Sequence, residues 1–357
     1  MPSYIHALET ATPSFSYAQS EIRDRMKEIV PGSDKDRRII HYLYSKSGID
    51  NRHSVINDFR QQGSQTLFFN GEGAYPGTER RNDLYIREAK NLFVDVARSL
   101  IKQSDFEPGQ ITHLITVSCT GFYAPGPDFD IIQALGLDPS IERYHLGFMG
   151  CYASIPAIKM ADQICRANEG ANVMVVSVEL CTIHFQANAK PDNILSASVF
   201  ADGGAGIIMS NRKPEKCGLA VHGFASTILE KGASDMAWSI GDSGFSMVLS
   251  SYIPDLLKEG IEPFLEPALD RFGITKDQVG QWCVHPGGRA ILDRIEEAVD
   301  LSADALDASR KVLSGYGNMS SATILFVLRE LQRQPLPEKS NRILAMAFGP
   351  GLTMETA

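Results

Sequence analysis

From residue 111 to the C-terminus, short and nearly unbroken apolar runs alternate with longer stretches whose apolar residues recur at helical spacing. The runs cover 111–118, 171–178, 205–210, 282–284 and 342–348. They read as strands covered on both faces. The stretches between them, at about 151–168, 250–271, 288–299 and 320–333, read as helices. Strands alternating with helices restrict the chain to a layered α/β architecture.

The first 110 residues are less regular. Residues 20–30 and roughly 36–47 look helical, and 85–103 carries Leu84, Ile86, Ala89, Leu92, Phe93, Val96, Leu100 and Ile101 on one face, as a core helix would. Residues 57–83 are rich in Gly, Gln, Asn and Arg and read as a long functional or interface loop. The polar stretch 211–216, with Pro214, marks a boundary between an N-terminal half, 1–215, and a C-terminal half, 216–357. No internal repeat is visible.

Composition narrows the function. The net charge of −9 argues against a nucleic-acid binder, which carries a basic face. No segment approaches the apolar length of a membrane span, and the N-terminus shows no signal-peptide pattern. Cys119, Cys151, Cys165, Cys181, Cys217 and Cys283 form no CxxC pair and fit neither a zinc site nor a disulfide framework. A reduced cytoplasmic protein with free thiols is expected.

Three glycine-bearing segments carry candidate chemistry. Cys151 stands in Gly147-Phe148-Met149-Gly150-Cys151-Tyr152-Ala153, directly before a helix, where the helix dipole and free backbone N–H groups favour a thiolate. Taken alone it reads first as a small buried apolar residue, which the flanking glycines argue against. His285 stands in Trp282-Cys283-Val284-His285-Pro286-Gly287-Gly288, at a strand's carboxyl edge, and alone could be structural. Asn318, in Tyr316-Gly317-Asn318-Met319-Ser320-Ser321-Ala322, alone fits a helix cap. Thiol chemistry needs a nucleophile, a base or cation partner and a fixed amide donor, which these three supply together.

These blocks, with Ala347 to Thr356, Val178-Glu179, Val199-Phe200-Ala201-Asp202-Gly203 and Gly136 to Tyr144, resemble the signature segments of the chalcone synthase superfamily, the type III polyketide synthases. The resemblance runs from about residue 36 onward. It implies a thiolase-like αβαβα fold in five layers, two related halves and a homodimer. It makes Cys151 the nucleophile, His285 and Asn318 its catalytic partners and Phe200 a gatekeeper. It also implies malonyl-CoA and an acyl-CoA starter as substrates, and no metal or cofactor. Decarboxylated malonyl units would extend an acyl group on Cys151, and the chain would then cyclise.

Departures from the plant pattern bear on the product. Met247 replaces a second gatekeeper Phe, His184 a cavity Thr, and Trp238 a Gly; Ser320 is kept. Cys119 and Cys181 replace hydroxyl residues, as in some bacterial members, and Ala124 replaces a larger residue that reaches across the dimer. The bulky replacements point to a small cavity and a triketide or tetraketide, built on an aliphatic starter. For CoA, Lys46 matches a family phosphate-binding lysine. Two other basic positions are Ile39 and Tyr42, which shifts the contacts to Arg37 or Arg38. A priming ketoacyl synthase of fatty-acid synthesis is the nearest alternative. An inactive thiolase-fold binding protein is the alternative of another class, and it would be expected to lack one of the three catalytic residues.

Overall fold

The computed structural model describes residues 2–60, 66–68, 75–215, 218–335 and 340–357. Up to residue 221 it contains β1 (Ser3–Ala11), β2 (Phe15–Ala18), β3 (Asn51–Ser54), β4 (His113–Ser118), β5 (Glu142–Gly147), β6 (Asn172–Leu180), β7 (Asp202–Ser210) and, just past the proposed half boundary, β8 (Leu219–Val221). Six of these form one sheet, in the order β5-β4-β6-β7-β1-β8. β4, β5 and β6 run parallel, and the pairings from β6 through β7 and β1 to β8 are antiparallel. β2 and β3 make a separate pair.

The second half contains β9 (Ala225–Ile228), β10 (Met236–Gly241), β11 (Gly244–Leu249), β12 (Gln281–Val284), β13 (Ile343–Gly349) and β14 (Thr353–Thr356). Four of them form a second sheet, β12-β13-β14-β9, while β10 and β11 pair as a hairpin. The helices are α1 (Gln19–Ile29), α2 (Asp34–Lys46), α3 (Thr78–Gln103), α4 (Pro127–Leu135), α5 (Ser154–Ala167), α6 (Pro191–Val199), α7 (Ile253–Phe272), α8 (Arg289–Val299), α9 (Asp307–Tyr316) and α10 (Thr323–Gln332).

Apolar burial sorts these elements into five layers. One core cluster packs α1, α2 and α3 on the outer face of the first sheet, through residues such as Met26, Ile40, Phe93 and Val176. A second joins that sheet's inner face to α5 and α10 and onward to Cys283 and Ala347 of the second sheet. A third packs α7 and α8 on the second sheet's outer face. The order is therefore αβαβα, with α5 and α10 in the middle layer, as the sequence led us to expect. Ala157 and Ala161 of α5 are fully buried, and small side chains let that helix pack closely between its neighbours.

Each of the five strand runs and four later helices is present, with shifted ends. The segment at 320–333 is a short 3₁₀ turn, Ser320–Ala322, followed by α10. Helix α2 starts at Asp34 because Ser33 caps it, accepting from the Asp36 N–H while Asp36 bonds back to the Ser33 N–H. Part of the expected loop at 57–83 is helix: α3 begins at Thr78. Its polar first turns hid the helix, since buried Arg81 spends its donors on the carbonyls of Pro76, Ile183 and Phe185 instead of adding to an apolar stripe. Residues 61–65 and 69–74 of that loop, and Lys216 and Cys217 at the proposed half boundary, lie outside the described residues.

Leu325 sits in the middle layer, 1% exposed. We expect Leu325→Ala to cost about 2–5 kcal/mol in urea unfolding, the range for a buried leucine whose cavity cannot collapse.

Candidate active site

Cys151 lies on the turn between β5 and α5, and that turn requires glycine. Gly150 has φ +95°, and a Cβ there would come within 2.2 Å of the Pro350 ring. The Gly150 N–H donates to the Cys119 sulfur at 2.9 Å, which fixes the turn against the end of β4. Helix α5 begins at Ser154, and Pro156 falls in its first turn, where its missing N–H costs nothing. Cys151 thus precedes the helix by three residues.

His285 follows β12, its backbone N–H bonded to the Met346 carbonyl at 2.8 Å. The side chain is 1% exposed, and neither ring nitrogen has a hydrogen-bond partner among the described residues. Asn318 is held on both sides by backbone: its N–H donates to Val199 and its carbonyl accepts from Ala201. Its side-chain oxygen accepts from the Ser320 N–H at 2.9 Å. The amide NH₂ is therefore the end left for donation, and one of its hydrogens goes to the Gly287 carbonyl at 3.2 Å.

Cys151, His285 and Asn318 line a single cavity, together with Phe200, Met247, His184, Trp238, Ser320, Cys119 and Cys181. Ten of the expected residues, from seven separate stretches of chain, therefore meet at one place. Ala124 does not line it; that residue is exposed, before the cis Pro125. Lys46 is exposed in the last turn of α2, while Arg37 and Arg38 frame a surface depression with Lys27, His41 and Tyr42. Among the described residues, no group of three or more His, Cys, Asp or Glu side chains is placed to hold a metal ion, and no helix is long and apolar enough to cross a membrane.

Burial governs the charges here. It pushes the Cys151 thiol up to about 12, against the lowering effect of Ser320 and Asn318, and Glu179 pushes the same way as burial. Burial alone takes His285 down to about 3. The expected helix-terminal activation of the thiol is thus outweighed by desolvation. Among the described residues no carboxylate bonds to the imidazole, so burial favours the neutral form of both groups.

His184 is a different kind of histidine. Its Nδ1 accepts from the Phe245 N–H at 3.1 Å, which leaves the Nε2 hydrogen to donate to the Thr120 carbonyl at 2.7 Å. It stacks on Phe245 at 4.1 Å, and Trp238 meets both rings edge-on while donating from Nε1 to the Cys119 carbonyl. Burial lowers His184 to about 3, so it stays neutral and acts as a fixed wall. Phe245 escaped the sequence reading although it lies two residues from Met247, on the same strand face. Tyr44 and Arg52 also line the cavity and were missed, because helix and strand residues near the N-terminus carry no motif.

Five layers with a thiol, an imidazole and an amide at the meeting of two sheets define a thiolase-like α/β enzyme. The chain matches the family model of chalcone and stilbene synthases, the N-terminal domain over residues 2–212 and the C-terminal domain over 220–357. It belongs to that family and is a polyketide synthase, an acyltransferase. It is similar to the crystal structure of PKS-I from the brown alga Ectocarpus siliculosus, with TM-score 0.92 and 28% identity over 99% of this chain and 97% of that one. It also resembles the C-terminal type III polyketide synthase domain of Steely1, a type I/III hybrid from Dictyostelium, with TM-score 0.90 and 25% identity over 100% and 98%. A type III pentaketide synthase from Neurospora crassa shares the fold, with TM-score 0.87 and 24% identity over 99% and 98%.

If thiolate and imidazolium form together, removing the imidazole strands the thiol at its burial-raised value. We expect His285→Gln to slow alkylation of Cys151 by iodoacetamide at pH 7 by about 10²-fold or more, and the rate to rise about tenfold per pH unit thereafter. Wild-type alkylation should vary far less with pH; equal profiles would separate the two groups.

Proposed function

We propose that this chain condenses an acyl-CoA starter with malonyl-CoA through an acyl group on Cys151, in repeated steps. The observation that carries the reading is the convergence of Cys151, a partnerless His285 and the donor face of Asn318 on one mainly apolar cavity. As the Cys151 sulfur attacks the starter thioester, its proton passes to His285, and the imidazolium is compensated by the developing negative charge. The Asn318 NH₂ and the His285 N–H donate to the oxyanion of the tetrahedral intermediate. CoA leaves and the thioester on Cys151 remains. The same donors stabilise the enolate that forms when malonyl-CoA loses CO₂, and that carbon attacks the acyl carbonyl. Water exclusion by Phe200 strengthens each of these interactions.

The cavity is small, about 80 Å³, and is closed on one side by Trp238, His184 and Phe245. That supports a triketide or tetraketide product cyclised to a pyrone or phenol, and the apolar lining supports an aliphatic starter. For CoA we assign Arg37, Arg38 and Lys46, all exposed near α2, to the phosphates. Arg37 also reaches Asp34 at 3.8 Å, a surface pair that yields easily to phosphate.

A homodimer fits the edge of the first sheet. β5 is an edge strand with exposed residues at four successive positions, and Phe122, Phe129 and Tyr144 near it are also exposed. Covering such an edge with a second copy would satisfy its open hydrogen-bonding groups. The five described cysteines are free and buried, which fits a reducing cytoplasm.

The deciding experiment is incubation of purified enzyme with malonyl-CoA and a panel of starters, with products identified by mass. Multiply extended products from malonyl-CoA are expected, and none from Cys151→Ala. One condensation, with a malonyl carrier protein only, would instead indicate a priming ketoacyl synthase. Trp238→Gly should lengthen or redirect the product, and an unchanged profile would remove Trp238 from the cavity's control of chain length.

A further inference from the structure

The cavity does not end at Phe200. Its lining continues along Ser196 and Ala197 of α6 to Met26 of α1, Tyr44 of α2 and Arg52 of β3. Most of this branch is apolar, yet it contains a buried cation. Arg52 is 3% exposed and Tyr44 1%. Arg52 Nη1 donates to the carbonyls of Ala197 at 2.8 Å and Phe200 at 2.6 Å. Its Nε and Nη2, and the Tyr44 hydroxyl, make no hydrogen bond of normal geometry among the described residues, although the two side chains lie close enough to act on each other. The guanidinium carbon stands 5.6 Å from the centre of the Tyr44 ring.

A guanidinium remains charged in protein surroundings, so leaving two of its nitrogens dry and unbonded is costly. The nearby carboxylate is Asp202, which acts on Arg52 at longer range than an ion pair. The Asp202 oxygens are already taken by the N–H groups of Val55 and Thr182 and by the Thr182 hydroxyl. The remaining donors of Arg52 and Tyr44 call for an acceptor oxygen, preferably anionic, brought in by whatever fills the cavity. An alkyl chain brings none. A β-ketoacyl chain brings one at every second carbon, and its enolate brings a charge.

We propose that Arg52 and Tyr44 form a binding site for the β-keto oxygen of the growing chain, held in its enolate form. The enolate is selected from the population already present in water, so no base is required. Holding it would fix which carbonyl is kept away from Cys151, and so which carbons meet in cyclisation. The choice of ligand rests on the condensation proposed above. The donors themselves do not.

The test is binding, in Cys151→Ala protein that cannot be acylated. Acetoacetyl-CoA and its longer 3-ketoacyl and 3,5-diketoacyl homologues are titrated beside saturated acyl-CoAs of equal length. We expect at least one keto ligand to bind about tenfold or more tightly than its saturated counterpart, the worth of a hydrogen bond to a charged group. It should also show the near-ultraviolet enolate band at neutral pH. Adding Arg52→Met should abolish both. Because Arg52 also ties Ala197 and Phe200, Tyr44→Phe is the second variant: it removes one donor without touching those ties and should lower the keto preference several-fold. Equal affinity of keto and saturated ligands overturns the proposal, as does an enolate band that survives Arg52→Met, or a preference unchanged in Tyr44→Phe. Failure of wild-type enzyme to condense malonyl-CoA would defeat the functional reading separately, since the binding result does not need turnover.

Discussion

Two backbone hydrogen bonds hold the site together. Asn318 donates its N–H to Val199 at 2.9 Å and accepts from Ala201 at 2.8 Å, so the loop before α10 is sewn to the loop after α6. These loops come from opposite halves of the chain, and residues 200 and 318 meet as an isolated bridge. Gly317, at φ +73°, makes the approach possible: a Cβ there would stand 3.0 Å from the Val199 carbonyl and from the Arg52 side chain. The nucleophile's turn depends on a comparable contact at Gly150. Both loops are set by backbone, so neither the Cys151 thiol nor the second amide hydrogen of Asn318 is needed to hold them.

Behind these loops lies a dry polar layer that fixes them further. Glu179 is fully buried and accepts from the Cys119 N–H, the Thr120 hydroxyl and the Ser321 hydroxyl. Burial raises its carboxyl, and these donors pull it back toward the ionised form. Asp202 is treated similarly and stands at about 6, with its oxygens bonded to Val55 and Thr182. Such networks are costly when half satisfied and rigid when complete. They bind β4, β6, β7 and the turn before α10 into one frame behind the cavity wall.

The layers and the loops that carry Cys151, His285 and Asn318 were legible because each leaves a local trace. Buried strands show as apolar runs, helices as a stripe, and Cys151 and Asn318 stand beside Gly150 and Gly317, which their turns require. The cavity walls leave no such trace. The β10–β11 hairpin, which carries Trp238, Phe245 and Met247, alternates weakly because one face lines a cavity and the other, with Ser239, Ser246 and Val248, is exposed. Arg52 is buried because tertiary packing brings Gly317 and the end of α6 onto it, which no local pattern shows. Proximity of Cys151 to a helix start is visible in the chain, whereas the burial that pushes its thiol up is not.

The cavity therefore has two ends of opposite character. At one, every polar group is spent: Trp238 on Cys119, His184 on Thr120 and Phe245, so this wall offers a ligand only shape. At the other, Arg52 and Tyr44 retain donors that nothing in the described structure accepts. A starter chain without oxygens is best accommodated against the first. A chain that gains a carbonyl with each extension becomes steadily better suited to the second. Growth would thus change which end of the cavity the intermediate prefers, and a change of preference during extension is a physical means by which a fixed cavity can stop elongation and commit a chain to ring closure.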